Sequence, residues 1–488
     1  MKKMKHAKKL ASLLMALVMV LGMSVGTTVT AFAADTTISA PEGSTRTYDV
    51  YQIFTGDLHE GVLSNVKWGK NGTGTEGASV NQATLDALVA VNEESDTIKL
   101  AEIEKYVNLN SQVFGTVSDG NPLTVPTGYY LIKDNGPVSE GETYSLYVVE
   151  VAGPTTISPK VSQVTSEKKV KDINDSTGVG SDWQDSADYD IGDKVPFQLK
   201  GTVAADYDKY TVYKFVFHDT ESAGLTFDKD SVVVKVDNTV IDSGYTVVTE
   251  GLNDGCTFEI QFTDLKTIDS VEAGSVITVD YKSRLNENAV IGSTGNTNKM
   301  KLEYSNNPND KQGGTTGNTP EDTVVVFSYK TIINKVDGDS KSLTGAAFKL
   351  EKLIKGADEA ADTWTLVKEY TVDADNPAST FEFTGLDDGT YKLTETVTPA
   401  GYNTIDPISF EITASDNGTV ITGLDGDNNT ITFAKNLEAG SLSANVVNKA
   451  GSILPSTGGM GTTLLYIIGA ILVVGAGVLL VARRRMHS

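Results

Sequence analysis

Short runs of β-branched and aromatic residues, broken by turn signals, dominate the apolar pattern of the chain. Thr211–Phe217, Ser231–Val236 and Ser275–Tyr281 are such runs. Asn253-Asp254-Gly255, Asp387-Asp388-Gly389 and Asp425-Gly426 punctuate them. Many short strands with frequent turns predict β-sandwiches. The first part differs. Thr47–Phe54 alternates as a strand, but Gln82–Ala90 and Ile98–Val107 space their apolar residues at helical period. The expected fold is mainly β: tandem immunoglobulin-like sandwiches behind a β-rich N-terminal domain that contains helices.

Both ends depart from this pattern. Lys2, Lys3, Lys5, Lys8 and Lys9 precede the mostly apolar stretch Leu10–Met23 and the small-x-small site Ala31-Phe32-Ala33. This predicts a secretory signal peptide over 1–33. At the other end, 464–482 carries no charge and is followed by Arg483-Arg484-Arg485, the pattern of a transmembrane helix with a basic stop. The intervening chain divides at a proline-lysine pair and at a polar stretch, Asn309–Thr319, rich in Gly, Asn and Thr and expected to be a linker. The expected units are 34–160, 161–322, 323–450, and a tail over 451–488.

Charge and composition narrow the function. Sixty-four acidic residues face 40 basic ones, a net charge of −24, and the chain is more acidic still without the terminal lysines and arginines. Such a surface repels nucleic acid, which is excluded as a partner. Cys256 is the sole cysteine, so no internal disulfide exists. Only His59 and His218 lie between the terminal segments, which argues against a His-rich metal site or a His-based hydrolase. Glu104, Glu140 and Glu142 have no nucleophile–base arrangement around them and read as surface acids. Asp373–Asn376 and Asp425–Asn428 do not complete a calcium loop and read as β-turns. No cofactor and no metal is expected.

Strand parity places ionisable groups on apolar faces. Tyr391, Leu393, Glu395 and Val397 share a face, as do Val446 and Asn448; Lys335 lies with Ile333. In the second unit, Val164, Lys168 and Val170 share a face, as do Phe215, Phe217 and Asp219, and Asn298 lies in line with Met300, Leu302 and Tyr304. An unpaired buried charge costs several kcal/mol. Burial instead favours a neutral, nucleophilic amine and a neutral acid, and a neutral acid can polarise an asparagine carboxamide for attack.

Lys335 before an acidic turn, Leu343–Leu350, Tyr391–Thr396 and Gly401-Tyr402 together resemble the Cna B-type domain. That resemblance implies an isopeptide bond from Lys335 to Asn448 with Glu395 assisting. Residues 161–322, with Tyr304–Pro308 near their end, resemble the isopeptide-forming middle domain of Gram-positive pilins, which implies Lys168 bonded to Asn298 with Asp219 assisting. Lys169 and Asn296 remain alternatives to Lys168 and Asn298. Leu454-Pro455-Ser456-Thr457-Gly458 ahead of the apolar run resembles the LPXTG sorting signal, which sortase cuts between threonine and glycine. Lys160, in Ser158-Pro159-Lys160, lies where major pilins carry the acceptor lysine of a Tyr-Pro-Lys element, with serine in place of the tyrosine. The whole chain thus resembles a sortase-assembled major (backbone) pilin or fimbrial subunit, a structural protein rather than an enzyme. The implied partners are a class C-type pilin sortase, a housekeeping sortase, identical subunits, peptidoglycan, and a host or dietary ligand. A monomeric wall-anchored adhesin is the alternative; it shares every feature except a functional Lys160.

Overall fold

The computed structural model describes residues 35–59, 62–145, 147–151, 155–357, 360–452 and 460–485. The expected signal peptide and the LPSTG motif lie outside the described residues.

The first unit is built on an antiparallel sheet ordered Val62–Trp68, Tyr48–His59, Gly128–Asp134, Val148–Val151, with Gly115–Val117 pairing on Tyr48–His59. Thr36–Ser39, Leu123–Val125 and Thr155–Thr156 form a smaller sheet. The two expected helices are present as Gln82–Ala90 and Asp96–Ile103. Asn81 caps the first, its carboxamide oxygen accepting from Thr84 N at 2.9 Å. The second starts two residues earlier than its apolar spacing suggests and tightens into a 3-10 turn at Glu104–Tyr106. Leu88, Leu100 and Ile103 cover Tyr51, Ile53, Phe54 and Leu131 of the sheet.

The second unit is a sandwich. One sheet runs Val179–Gln184, Ser166–Asn174, Lys194–Thr202, Val276–Leu285, Leu225–Val236, Thr239–Ile241. The other runs Ser186–Asp188, Asp322–Phe327, Asn296–Ser305, Phe215–Glu221, Phe258–Phe262, Thr246–Val248. Phe197, Phe215, Phe217, Phe258, Tyr281 and Tyr304 fill the space between them. The third unit packs Thr380–Leu386, Tyr329–Val336, Ser441–Val447, Ala434–Asn436 against a five-stranded sheet that includes Ala347–Ile354 and Gly389–Val397. Val397, expected inside, is exposed: a register irregularity after Glu395, with Val397 opposite Ala347 but Glu395 opposite Phe348, breaks the alternation at that end.

Two boundaries differ from expectation. Asn309–Thr319 is not a linker. Asp310 Oδ2 accepts from the backbone and hydroxyl of Thr315, both at 2.7 Å, and Thr316–Asn318 adds a strand to Asn296–Ser305. Asn309 also reaches the first unit through Tyr147 N at 3.0 Å and Ser145 O at 2.9 Å. The expected junction at 322/323 falls inside a strand. Asp322–Phe327 pairs along Asn296–Met300 in the second sandwich, and its two faces diverge: Val324 and Val326 enter that core, Val325 and Phe327 the next. A strand buried on both sides reads as a continuous apolar run, so composition does not mark the crossing.

The second and third units also meet through charge. Lys352, only 2% exposed, reaches Asp387, Asp190 at 2.6 Å and Asp175 at 3.3 Å. Burial pushes its pKa down, but Asp387 and Asp190 outweigh burial and raise it. Asp388 N donates to Asp188 Oδ2 and Asn174 Nδ2 to Asp388 Oδ1, at 3.0 and 2.6 Å. Around this one ammonium the acids outnumber the cation. Burial, then the charge of Asp190, pushes Asp193 up to about 6; burial, then Asp388, does the same to Asp172.

Such carboxyls bind protons more tightly folded than unfolded, so they destabilise the fold above about pH 6, and that cost disappears as pH falls towards about 4. Asp193→Asn should therefore raise the melting temperature of the full chain at about pH 7, and the gain should fall to about half by about pH 5 and vanish towards about pH 4, as scanning calorimetry would reveal.

Candidate functional site

Each sandwich buries a lysine, an acid and an asparagine at one point of its core. In the third unit, Tyr329–Val336 and Ser441–Val447 are parallel neighbours, with Lys335 opposite Val446. Alternation turns Lys335 inward beside Ile333 and brings Asn448 inward just past the end of its strand. Both are fully buried, and Glu395 is 6% exposed. Asn448 Nδ2 donates to Glu395 Oε1 at 2.8 Å and Oε2 at 3.1 Å. Lys335 Nζ donates to Val446 O at 2.8 Å and Val336 O at 3.1 Å. Thr398 Oγ1 and Ile405 N steady Glu395 Oε2 from outside, at 3.1 and 3.3 Å. Burial pushes the Lys335 ammonium towards the neutral amine, opposed by the charges of Glu395 and Asp337.

The second sandwich joins the same groups across its two sheets. Lys168 enters from Ser166–Asn174; Asp219 and Asn298 enter from the neighbouring strands Phe215–Glu221 and Asn296–Ser305. All three are fully buried. Lys168 Nζ donates to Asp219 Oδ2 at 2.5 Å and to Tyr281 OH at 2.7 Å. Tyr281 OH donates to Asp219 Oδ2 at 3.0 Å and accepts from Asn298 Nδ2 at 2.9 Å. The phenol thus bridges amine, acid and carboxamide. Asn298 Nδ2 also lies 3.5 Å from Glu221 Oε1. Burial drives Lys168 down and Asp219 up, each opposed by the other's charge, so the pair leans towards amine and neutral acid. Burial, then Asp219, pushes Glu221 up to about 7.

One detail recurs. The side-chain carbonyl oxygens of Asn298 and Asn448 are buried and accept no hydrogen bond, while both Nδ2 groups are engaged.

The alternatives sit elsewhere. Lys169 points outward to Asp185 at 2.6 Å, which raises its pKa. Asn296 is buried, but its oxygen accepts from Val290 N at 2.8 Å and its nitrogen donates to Val290 O and Val326 O, both at 3.1 Å. Tyr281 and Glu221 were not singled out from the sequence. Tyr281 ends an apolar run and reads there as core; only the sheet order, which sets Val276–Leu285 one strand away from Ser166–Asn174 across Lys194–Thr202, puts its hydroxyl between the reactive groups.

Lys160 lies at the surface between the first two units, its Nζ 2.9 Å from Asp96 Oδ2 at the start of a helix. Both side chains are largely exposed, and such pairs stabilise little. Lys160 N donates to Ser145 Oγ at 2.9 Å. Tyr304 OH reaches Glu142 O at 2.7 Å and Tyr144 N reaches Asn306 O at 2.7 Å, so Tyr304–Pro308 docks against the segment next to Lys160. Glu142 pairs with Arg46 and Glu104 with Lys311. The C-terminal helix Met460–Arg485 contains a span, Leu465–Arg484, of mean hydropathy 2.7, long and apolar enough to cross a bilayer.

Three family descriptions match. Residues 191–308 match the Gram-positive pilin backbone subunit 2, Cna-B-like domain; 330–428 match a prealbumin-like fold domain; 446–488 match the LPXTG cell wall anchor motif. The Cna-B-like description thus falls on the second sandwich, and the region likened to Cna B matches as prealbumin-like. The trypsin-resistant surface T6 protein of Streptococcus pyogenes serotype M6 is 31% identical over 255 residues, 47% of this chain and 43% of that one. The chain therefore spans less than half the length of this relative. The T6 backbone pilin of serotype M6 S. pyogenes superposes with a TM-score of 0.52 at 18% identity, covering 86% of this chain and 98% of that one. The full-length major pilin SpaD of Corynebacterium diphtheriae gives 0.50 at 17% identity, with the same coverages. The chain is thus a modular, mainly β protein that carries, in order, a Gram-positive pilin backbone-subunit domain, a prealbumin-like domain and an LPXTG cell wall anchor motif. Within it, residues 191–308 are similar to the pilin backbone-subunit domain, and the fold as a whole is similar to those of the T6 and SpaD pilins.

Asn296→Ala should cost about 1–2 kcal/mol in denaturant unfolding, because it removes the side-chain partner of the buried Val326 carbonyl, and it should leave the intact mass at the value expected for that substitution relative to wild type.

Proposed function

We propose that the chain is the backbone subunit of a sortase-polymerised, wall-anchored pilus, hardened by two autocatalytic isopeptide bonds. What carries this reading is the repeated burial of lysine, acid and asparagine in tandem pilin sandwiches. Lys335 attacks Asn448 and Lys168 attacks Asn298. In each reaction the Nζ–Cγ bond forms, the Cγ–Nδ2 bond breaks, and ammonia leaves with the proton the amine gives up.

The acid serves a different end of the reaction in each sandwich. Glu395 holds the leaving nitrogen of Asn448, where it shuttles a proton from the attacking amine to the departing ammonia. Asp219 sits on the amine of Lys168 and takes its proton; Tyr281 relays between Asp219 and Asn298. The low local dielectric favours the neutral pair that starts the reaction. This is single-turnover chemistry on the chain itself.

Polymerisation uses the two remaining elements. Sortase cleaves after Thr457 within Leu454–Gly458, and Lys160 of a neighbouring subunit takes the threonyl group. Sortase recognition of the motif, identical subunits as partners and final linkage to peptidoglycan follow from the same reading. The unit boundaries consistent with it are the first three segments foreseen in the sequence, with the second crossing shifted to Ser328.

Intact mass of the purified chain should fall short of the sequence value by one ammonia per bond. Glu395→Ala and Asp219→Ala should each restore one ammonia, and Tyr281→Phe should slow the second-sandwich reaction by about tenfold or more, within the usual range for proton-transfer assistance. An unshifted wild-type mass rejects the bonds. Polymerisation is read separately: denaturing gels of wall extracts should give a high-mass ladder that Lys160→Ala abolishes, whereas a single wild-type band would favour the monomeric adhesin.

A further inference from the structure

Strand alternation that turns Asp219 into the core turns His218 the other way, onto the outer face of the second sandwich. There it meets Asp254, Cys256 and Glu259, whose ligand atoms all lie within 4.8 Å of one another. His218 comes from Phe215–Glu221 and Glu259 from the adjacent Phe258–Phe262, directly opposite it in register. Asp254 and Cys256 come from the loop that leads into that second strand. The chain's sole cysteine and one of its few histidines are thus brought together by tertiary structure.

His218 turns Nδ1 towards Asp254 and Glu259. Nδ1 stands 2.9 Å from Asp254 Oδ2 and 3.1 Å from Glu259 Oε1, yet it makes no hydrogen bond to either. Nε2 lies 3.3 Å from Glu303 Oε2, which Lys214 holds at 2.8 Å. A carboxylate behind Nε2, with Nδ1 turned towards the other donors, is the outer-shell arrangement common to metal-bound imidazoles. Cys256 Sγ donates to Asp254 Oδ2 at 3.0 Å. Glu259 is 7% exposed, and its second oxygen is held by Gln261 Nε2 at 2.5 Å. A cavity of about 250 Å³ opens beside His218, Asp254 and Glu259, walled by Val248, Leu252 and Asn253.

We infer that His218, Asp254, Cys256 and Glu259 form a mixed-donor site for a borderline divalent transition metal of the zinc type. Calcium and magnesium take oxygen ligands; one nitrogen, one sulfur and two carboxylate oxygens suit a four-coordinate zinc-type ion. On binding, the metal–sulfur bond replaces the S–H bond and the thiol proton leaves to solvent. The ion and its three anionic ligands carry one net negative charge, which Lys301, 3.6 Å from Asp254 Oδ2, offsets. The ion would pin the 249–257 loop to the sheet, a cross-link independent of the isopeptide chemistry.

The full chain, purified in detergent and stripped with chelator, is titrated with cobalt(II). One equivalent should bind, giving tetrahedral visible bands and a thiolate-to-cobalt charge-transfer band in the near ultraviolet; zinc should bleach both. Cys256→Ser should abolish the charge-transfer band while melting like wild type in chelator, and His218→Ala should weaken cobalt affinity by about tenfold or more. No stoichiometric uptake by wild type, or a charge-transfer band that survives Cys256→Ser, overturns the site and leaves His218 as an ion-paired histidine.

Discussion

An amine and a carboxyl sealed in the same dry core dominate this protein. Neither group can keep its charge cheaply there, and neither can reach water to shed the problem. Lys168 faces Asp219 with both fully buried; Lys335 is buried with Glu395 near. The surrounding sandwich must hold these groups in register without relaxing around them, which explains the aromatic packing of Phe197 and Tyr281 at Lys168 and the strand order that brings the start and end of each unit together. Lys352 marks the contrast. It is equally buried, but several carboxylates surround it and keep it charged. Burial alone does not make a lysine reactive; the number of anions it meets decides.

The two triads solve the same problem differently. In the third unit the amine rests on backbone carbonyls and the acid on the carboxamide. In the second the acid rests on the amine, and a phenol spans the gap. The difference follows from topology. Lys335 and Asn448 lie on neighbouring strands of one sheet, so their side chains are already close. Lys168 and Asn298 face each other from opposite sheets, and Tyr281 occupies the intervening layer.

Much of this was legible in the sequence because strands have a period of two. Parity alone put Lys335 with Ile333, Asn448 with Val446, and Asp219 with Phe217, all inward. Parity could not separate Asn296 from Asn298, which point the same way; what separates them is that backbone groups of Val290 and Val326 occupy Asn296. Tyr281 was invisible because a tyrosine in an apolar run is ordinary core until the facing sheet is known. The crossing near Ser328 was hidden because Val324–Phe327 is apolar on both faces. Asn309–Thr319 misled because Gly, Asn and Thr serve tight hairpins as well as linkers. The acid cluster around Lys352 depends on two units docking, and no local pattern encodes it.

The pairing of Tyr329–Val336 with Ser441–Val447 is parallel. A pull applied where the chain enters the first strand and leaves the last therefore slides the two strands past each other. It does not peel them apart one hydrogen bond at a time. The evenly spaced bonds of a parallel ladder then all strain together, and the third unit yields in shear or not at all. This arrangement gives the third unit a mechanical threshold of its own, and it holds Lys335 and Asn448 in register under load.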